Sequence, residues 1–358
     1  MFYHFLYPLH DSNSIFNVFK YITLRSMMAF FIACIVSIVW GKYFIDFMRK
    51  KQFGQVIRED GPKSHLKKAG TPTMGGIFLL GSVFIASFLT GNFFSAPFTA
   101  CVAIGISYFL LGYLDDYLKV LKGNTKGVSG KFKLLWQYVT ALLVLYFLVK
   151  GEYIDTKLYF PFLKNSYFDL GTFYLFFGAT VIVGSSNAVN LTDGLDGLAI
   201  GPVITSALCL LLLSYIAGHK ALSSYLYIPY VVGSGEVSII LSSVIGAGVG
   251  FLWYNFYPAL VFMGDVGSLS LGGILGISAL MSKNSLLFVI IGGVFVIESL
   301  SVIIQVFFFK TTGKRIFKMA PIHHHFELCG WPETKVIVRF WIISLLLAII
   351  ALATLKLR

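Results

Sequence analysis

Charge is what this chain has least of. Charged residues make up 12% of it, and only 16 of its 358 residues are acidic. A soluble globular domain carries about 25% charged residues, so a water-facing fold is excluded for most of the length. Cysteine is also scarce. Cys34, Cys101, Cys209 and Cys329 are scattered, which excludes a zinc motif and a disulfide framework. Residues 1–20 hold His4, Pro8, His10, Asp11 and Lys20 and lack an unbroken apolar core. No cleavable signal peptide is therefore expected, and the first apolar run, from Leu24, would serve as the insertion signal.

What the chain has in quantity is apolar sequence, 57% of it. Since a bilayer span takes about 20 apolar residues, the runs define about ten membrane helices, an all-α polytopic fold. They fall near 24–45, 74–91, 97–114, 132–149, 172–186, 198–217, 236–255, 267–282, 286–309 and 336–355. The whole chain, 1–358, reads as a single integral-membrane domain, with a small external hairpin in the polar, partly alternating stretch 151–170. The run Gly246-Ala247-Gly248-Val249-Gly250 lies inside an apolar helix with no strand before it. It is read as a close helix–helix contact rather than a dinucleotide fingerprint.

The net charge of +12 does not call for nucleic acid. The basic residues gather in segments 46–73, 115–133 and 310–335, and the alternate connections are sparser. The positive-inside rule places the rich loops in the cytoplasm and, with an even number of spans, both termini outside.

Against this background, five carboxylates at three span borders stand out. Asp115 and Asp116 are adjacent, and neighbouring carboxylates repel unless a cation or proton intervenes. Mg²⁺ meets that need, because it takes oxygen ligands and shares them with substrate phosphates. Lys119, one helical turn on, can pair with either aspartate or meet a phosphate. In Asn187 to Gly197, the residues Asn190, Asp193 and Asp196 recur every three positions, so a helical turn would bring them near one face. Asp265, in Met263-Gly264-Asp265-Val266-Gly267-Ser268, stands just before a helix, where it could cap the helix, bind metal or orient a phosphate. Pro321-Ile322-His323-His324-His325-Phe326-Glu327 lies between basic residues and the last span. Three consecutive histidines cannot all face one ion on a regular helix, so phosphate binding or acid–base work fits them better. The basic, turn-rich stretch Gly61 to Gly76 suits phosphate contact.

These motifs, in this order, resemble the phospho-N-acetylmuramoyl-pentapeptide transferases of the polyprenyl-phosphate N-acetylhexosamine-1-phosphate transferase superfamily. The resemblance runs over essentially the whole chain. It rests on Gly-Thr-Pro-Thr-Met-Gly-Gly at 70–76, Leu-Asp-Asp-Tyr at 114–117, Asn-Leu-Thr-Asp-Gly-Leu-Asp-Gly at 190–197, Phe-Met-Gly-Asp-Val-Gly-Ser at 262–268 and Pro-Ile-His-His-His-Phe-Glu at 321–327. It implies a homodimer in the bacterial cytoplasmic membrane with a Mg²⁺-dependent site facing the cytoplasm. It also implies transfer of a phospho-sugar from UDP-N-acetylmuramoyl-pentapeptide to undecaprenyl phosphate, giving lipid I and UMP. By the same resemblance Asp265 is the metal ligand, Asp115 and Asp116 line the site, and Lys68, Lys119 and Lys131 hold phosphates. Asn187, Asn190, Asp193, Gly194, Leu195, Asp196, Asn255 and Phe262 shape the nucleoside pocket, with Phe262 offering a face to uracil. His323, His324 and His325 contact the donor, with His324 among the catalytic set.

Attack by the lipid phosphate itself and a covalent phospho-aspartyl route are both open. Direct attack is favoured, because a phosphate is already a nucleophile. Within the superfamily the competing donor is UDP-N-acetylglucosamine, against which the histidine loop argues. A cation transporter would place its carboxylates near the bilayer midplane, not at helix ends.

Overall fold

A computed structural model describes residues 1–51, 70–122, 127–163 and 166–356. The ten apolar runs all appear as helices. Nine regions are long and apolar enough to cross a membrane among the described residues, and Gly76–Thr90 is a shorter tenth. The helices are α1 (Ile22–Lys50), α2 (Gly76–Thr90), α3 (Ala96–Lys122), α4 (Gly130–Lys150), α5 (Phe173–Thr192), α6 (Ile200–Ala217), the short α7 (Lys220–Tyr225), α8 (Val237–Asn255), α9 (Gly264–Met281), α10 (Ser285–Ile291), α11 (Gly293–Thr312), α12 (Ile322–Leu328) and α13 (Glu333–Ala353). Between α4 and α5, β1 (Lys157–Tyr159) and β2 (Tyr167–Asp169) pair antiparallel, Leu158 facing Phe168. This is the expected hairpin.

Two expected boundaries differ in ways that matter. The run 97–114 continues to Lys122, so Asp115 and Asp116 lie within α3 rather than in a loop after it. The run 286–309 breaks at Gly292 into α10 and α11.

The bundle is built around α9, which packs against α3 and α5 and is buried along nearly its whole length. Small residues make that possible. A Cβ at Gly272 would strike the backbone of Ser185 and Ser186 on α5, and one at Gly273 would strike the Tyr108 ring on α3. The run singled out in α8 works the same way against α1. Ser242 donates to the carbonyl of Ser26, Gly246 lies on the backbone of Phe30, and Gly250 lies on Cys34 and Ser37. In hydrocarbon the lipid tails are as apolar as leucine, so it is such close packing that associates helices.

Connectivity gives the bundle two ends. The end of α3, the start of α4, the C-terminus of α5 and the start of α9 lie at one end. Strands β1 and β2, the start of α1 and the end of α13 lie at the other. There the Arg25 guanidinium donates to both oxygens of Glu236, at 2.6 and 2.8 Å, and to the Thr90 carbonyl. This buried fork joins α1, the end of α2 and the start of α8. Removing one partner of such a pair leaves an uncompensated charge, typically at about 3–5 kcal/mol.

Lys283, in the turn after α9, clamps the hairpin. Its ammonium pairs with Asp155 Oδ1 at 2.6 Å, donates to the Tyr174 hydroxyl at 3.3 Å and lies over the Tyr174 ring. Tyr159 of β1 donates to the other Asp155 oxygen. Burial pushes the Lys283 ammonium down to about 8 from its ordinary 10.5, against the upward pull of Asp155. The folded chain therefore holds fewer protons than the unfolded chain between those values. The contribution of this group to stability rises with pH across that window, and the full cost of burying the charge is carried below it. Thermal melts in detergent should show wild type gaining on Lys283→Met from about pH 8 to pH 10. A difference in Tm that stays flat with pH would contradict this account.

Candidate functional site

The sequence brings Asp115 and Asp116 to the last turns of α3, and the packing of α3 on α9 sets them beside Asp265. Gly112, one turn before the pair, allows this: a Cβ there would run into the backbone of Asp265 and Val266. Gly264 turns the chain into α9 with φ +75°, and its α-carbon faces the Asp116 carboxylate. Segment 70–76 lies along the stretch leading into α9. Phe262 N–H donates to the Pro72 carbonyl, Gly75 N–H to that of Phe262, and Gly76 N–H to that of Met263, each at 2.8 Å.

Asp265 does not cap its own helix. That work falls to Asp116, whose Oδ2 accepts from Val266 N–H at 3.1 Å, with the Asp193 carboxyl near the Gly264 N–H. Capping from outside leaves the Asp265 side chain free to face across the site. There Oδ2 meets Lys133 Nζ at 2.6 Å and Lys119 Nζ at 3.3 Å, while Oδ1 accepts from Asn190 Nδ2 at 2.9 Å. Asp115 Oδ2 meets Lys119 Nζ at 2.6 Å and Lys133 Nζ at 2.9 Å, and its Oδ1 accepts from Val128 N–H. Lys119 is also 3.3 Å from Asp116 Oδ1. Asp115 and Asp116 are almost fully buried.

Three carboxylates face two ammonium groups, which leaves an excess of negative charge in a confined place. Asp193, past the end of α5, feels it. Burial first, then Asp265, Asp116 and Asp196, push its carboxyl up to about 8. Asp115, Asp116 and Asp265 each offer one oxygen, and these atoms all lie within 4.8 Å of one another. An all-oxygen, net-negative donor set of this kind suits a hard cation, Mg²⁺ or Ca²⁺, with water completing the coordination.

The remaining expected residues divide. Asn190 and Asp193 join the cluster, but Asp196 does not. The helix ends at Thr192 and Gly197 turns the chain at φ +74°, so the three are not on one helical face. Asp196 is buried, accepts from Ala259 N–H and donates its own N–H to Glu333 Oε1. Asn187 donates to Gln137 Oε1, which binds α5 to α4 rather than to the aspartates. Leu195 is core, packed with Leu198, Val336 and Phe340. Asn255 is buried and donates to the Val261 carbonyl, shaping the loop that carries the half-buried Phe262. Lys131 is exposed on the first turn of α4, and it is Lys133 that reaches the carboxylates. Lys68 lies outside the described residues.

The three histidines diverge on α12, as a helix demands. His323 is fully buried against Glu298, at 3.1 Å, and against Gly194. It is therefore not displayed to a substrate. His324 pairs with Glu327 at 2.9 Å, and His325 accepts from Lys318 N–H.

Lys133 and Glu298 were missed from sequence. Lys133 has a signal, the polar positions Ser129, Lys133 and Gln137 at spacing four along an otherwise apolar helix. Glu298 is the one charge in the run 286–309.

Comparison with known proteins identifies the family. Glycosyl transferase family 4 matches residues 98–283, and the phospho-N-acetylmuramoyl-pentapeptide-transferase signature 1 matches residues 68–80. The chain is 52% identical to the phospho-N-acetylmuramoyl-pentapeptide-transferases of Pelobacter propionicus and Syntrophus aciditrophicus, each alignment covering 100% of both chains. The same enzyme of Citrifermentans bemidjiense is also 52% identical over the full length of both. The loop laid along residues 261–263, the aspartates of α3 and the head of α9 all fall inside these matches, and the chain belongs to the phospho-N-acetylmuramoyl-pentapeptide-transferase family.

Proposed function

We propose that this protein transfers phospho-N-acetylmuramoyl-pentapeptide from its UDP-linked donor to undecaprenyl phosphate, releasing UMP and forming lipid I, with Mg²⁺ held by Asp265 together with Asp115 and Asp116. The observation that carries the reading is the trio of carboxylates within 4.8 Å of one another, faced by two lysines at one end of a helical bundle. One substrate is a soluble, highly anionic nucleotide and the other a lipid whose phosphate rests at the membrane surface. A polar site at a helix-bundle end is where both can be reached.

Bound there, Mg²⁺ would offset the charge that develops on the phosphates as the phosphoryl bond breaks. Lys119 and Lys133, already balanced against the carboxylates, are placed to take phosphate oxygens. Direct attack by the lipid phosphate is supported by how the aspartates are engaged. Asp115 holds Val128 N–H and two ammonium groups, and Asp116 holds the head of α9. A carboxylate so occupied is a poor nucleophile, whereas the lipid phosphate needs no activation by covalent relay.

The lysine-rich connections Lys119–Lys133 and Lys314–Lys335 belong to the site end, so the positive-inside rule supports a cytoplasmic site and termini on the far side. A homodimer is part of the same reading. Light scattering with detergent subtracted should then give twice the chain mass of 39.7 kDa.

Two outcomes are expected in detergent with both substrates. Lipid I formation should need Mg²⁺ and fall by about a hundredfold or more in Asp265→Ala. Activity with UDP-N-acetylglucosamine in place of the muramoyl donor would instead overturn the assignment. The two neighbouring lysines of α4 should also separate. Lys133→Met should lower kcat/KM by about 10- to 100-fold and Lys131→Met by no more than about twofold, because only the former loses a contact to the carboxylates. Equal effects of the two changes would mean that bulk positive charge, not placement, matters.

A further inference from the structure

Helix α11 carries a carboxylate inside a run otherwise free of charge. Glu298 is fully buried, and so is its partner His323, which lies 25 residues away on α12 with Nδ1 at 3.1 Å from Oε2. A carboxylate buried away from water is costly unless it is paired, and here the partner is the His323 imidazole. The imidazole is held on two further sides. Its ring centroid lies 4.1 Å from that of His324, and its other nitrogen, Nε2, is buried without a hydrogen-bond partner and faces the α-carbon of Gly194. Gly194 follows Asp193, whose carboxyl lies near Asp265, Asp116 and the Gly264 N–H at the head of α9. A continuous line of contacts therefore runs from the interior of α11 through His323 and Gly194 to the aspartate cluster.

We propose that Glu298 is a positioning residue for the donor site. The contact between Glu298 Oε2 and His323 Nδ1 fixes the ring's orientation. The fixed ring seats α12 against the Asp193–Gly194 turn. His324 and His325 are thereby held in one place relative to Asp193. Glu298 itself touches no reacting atom. The proposal rests on the transferase reading for its consequence, donor binding, but not for the positioning itself.

Two measurements on the full-length protein in detergent keep those apart. Hydrogen–deuterium exchange across residues 321–329 reports the seating of α12 without reference to any reaction. Kinetics with UDP-N-acetylmuramoyl-pentapeptide and undecaprenyl phosphate report the consequence. Glu298→Leu should speed exchange in that segment. It should raise the donor KM about tenfold or more, with kcat and the lipid KM changed by less than about threefold. Glu298→Gln, whose amide can still hydrogen-bond to Nδ1, should stay close to wild type in both. Glu298→Leu combined with His323→Phe should be no worse than the more damaging single change, because both break one contact. Gly194→Ala presses on His323 from the other side with Glu298 intact. It should also loosen α12, which keeps the proposal testable if Glu298→Leu does not fold. Unchanged exchange in Glu298→Leu and Gly194→Ala, additive effects in the double variant, or a loss confined to kcat would each overturn it. Loosened exchange in a protein whose wild type does not use the muramoyl donor would uphold the positioning and refute the transferase reading.

Discussion

The head of α9 is the point on which the rest of the structure depends. A helix start leaves backbone N–H groups without intrahelical partners and carries a partial positive charge. Here the Asp116 carboxylate of α3 answers it by accepting from Val266 N–H, and Asn190 of α5 donates to Asp265 and Ser268 beside it. Asp116 acts as an N-cap supplied in space rather than in sequence. One consequence is mechanical, because α3, α5 and α9 are pinned at one level. The other is chemical. Asp265, relieved of capping, points at Lys119, Lys133 and Asn190.

Such pinning requires backbones to approach more closely than side chains allow. At Gly112 the α3 backbone lies on that of Asp265, and at Gly76 the start of α2 lies on Gly267. Further down, Gly272 and Gly273 repeat the pattern toward α5 and α3. The stripe of small residues is thus what holds three carboxylates in register, since a rigid backbone frame costs nothing to reorganise when charge develops. The opposite end of the bundle uses charge differently. Arg25–Glu236 and Lys283–Asp155 each pair one cation with one anion. They staple helix ends and leave no excess. The α9 head instead gathers three carboxylates against two ammonium groups, and that imbalance separates a site from a staple.

Much of this was legible in the sequence. Ten apolar runs, the hairpin and the convergence of three acidic motifs follow from hydropathy and from the scarcity of carboxylates, since a rare residue repeated at span borders is informative in itself. The failures share a cause. Whether Lys131 or Lys133 faces inward depends on the rotation of α4, which is set by Gln137 bonding to Ser186 and Asn187 on α5. The spacing of Ser129, Lys133 and Gln137 marks a polar face on α4, but the partners that turn it inward lie on α5. Asn190, Asp193 and Asp196 share a period of three, but the period means one face only while the helix lasts, and it ends at Thr192. Asn255, Leu195 and His323 belong to the right motifs, yet they hold the loops from behind. A motif reports that a segment is constrained, not which of its side chains is displayed.

That distinction bears on how two unlike substrates are served. The charged part of the site sits on α3, α4, α5 and α9, which interlock through backbone contacts and buried polar bonds. The parts that would read a nucleotide and a sugar, residues 70–76, 194–197, 256–263 and 321–327, are loops and one short helix, each tied back to the frame by a few specific contacts. Phosphate chemistry is common to both substrates and needs rigidity, whereas recognition differs between them and tolerates local adjustment. Dividing the work this way lets the loops be shaped to a donor without moving the carboxylates. The contacts that hold these segments to one another and to α11, Pro72 to Phe262, Asp196 to Ala259 and His323 to Glu298, then become the places where binding and chemistry are coupled.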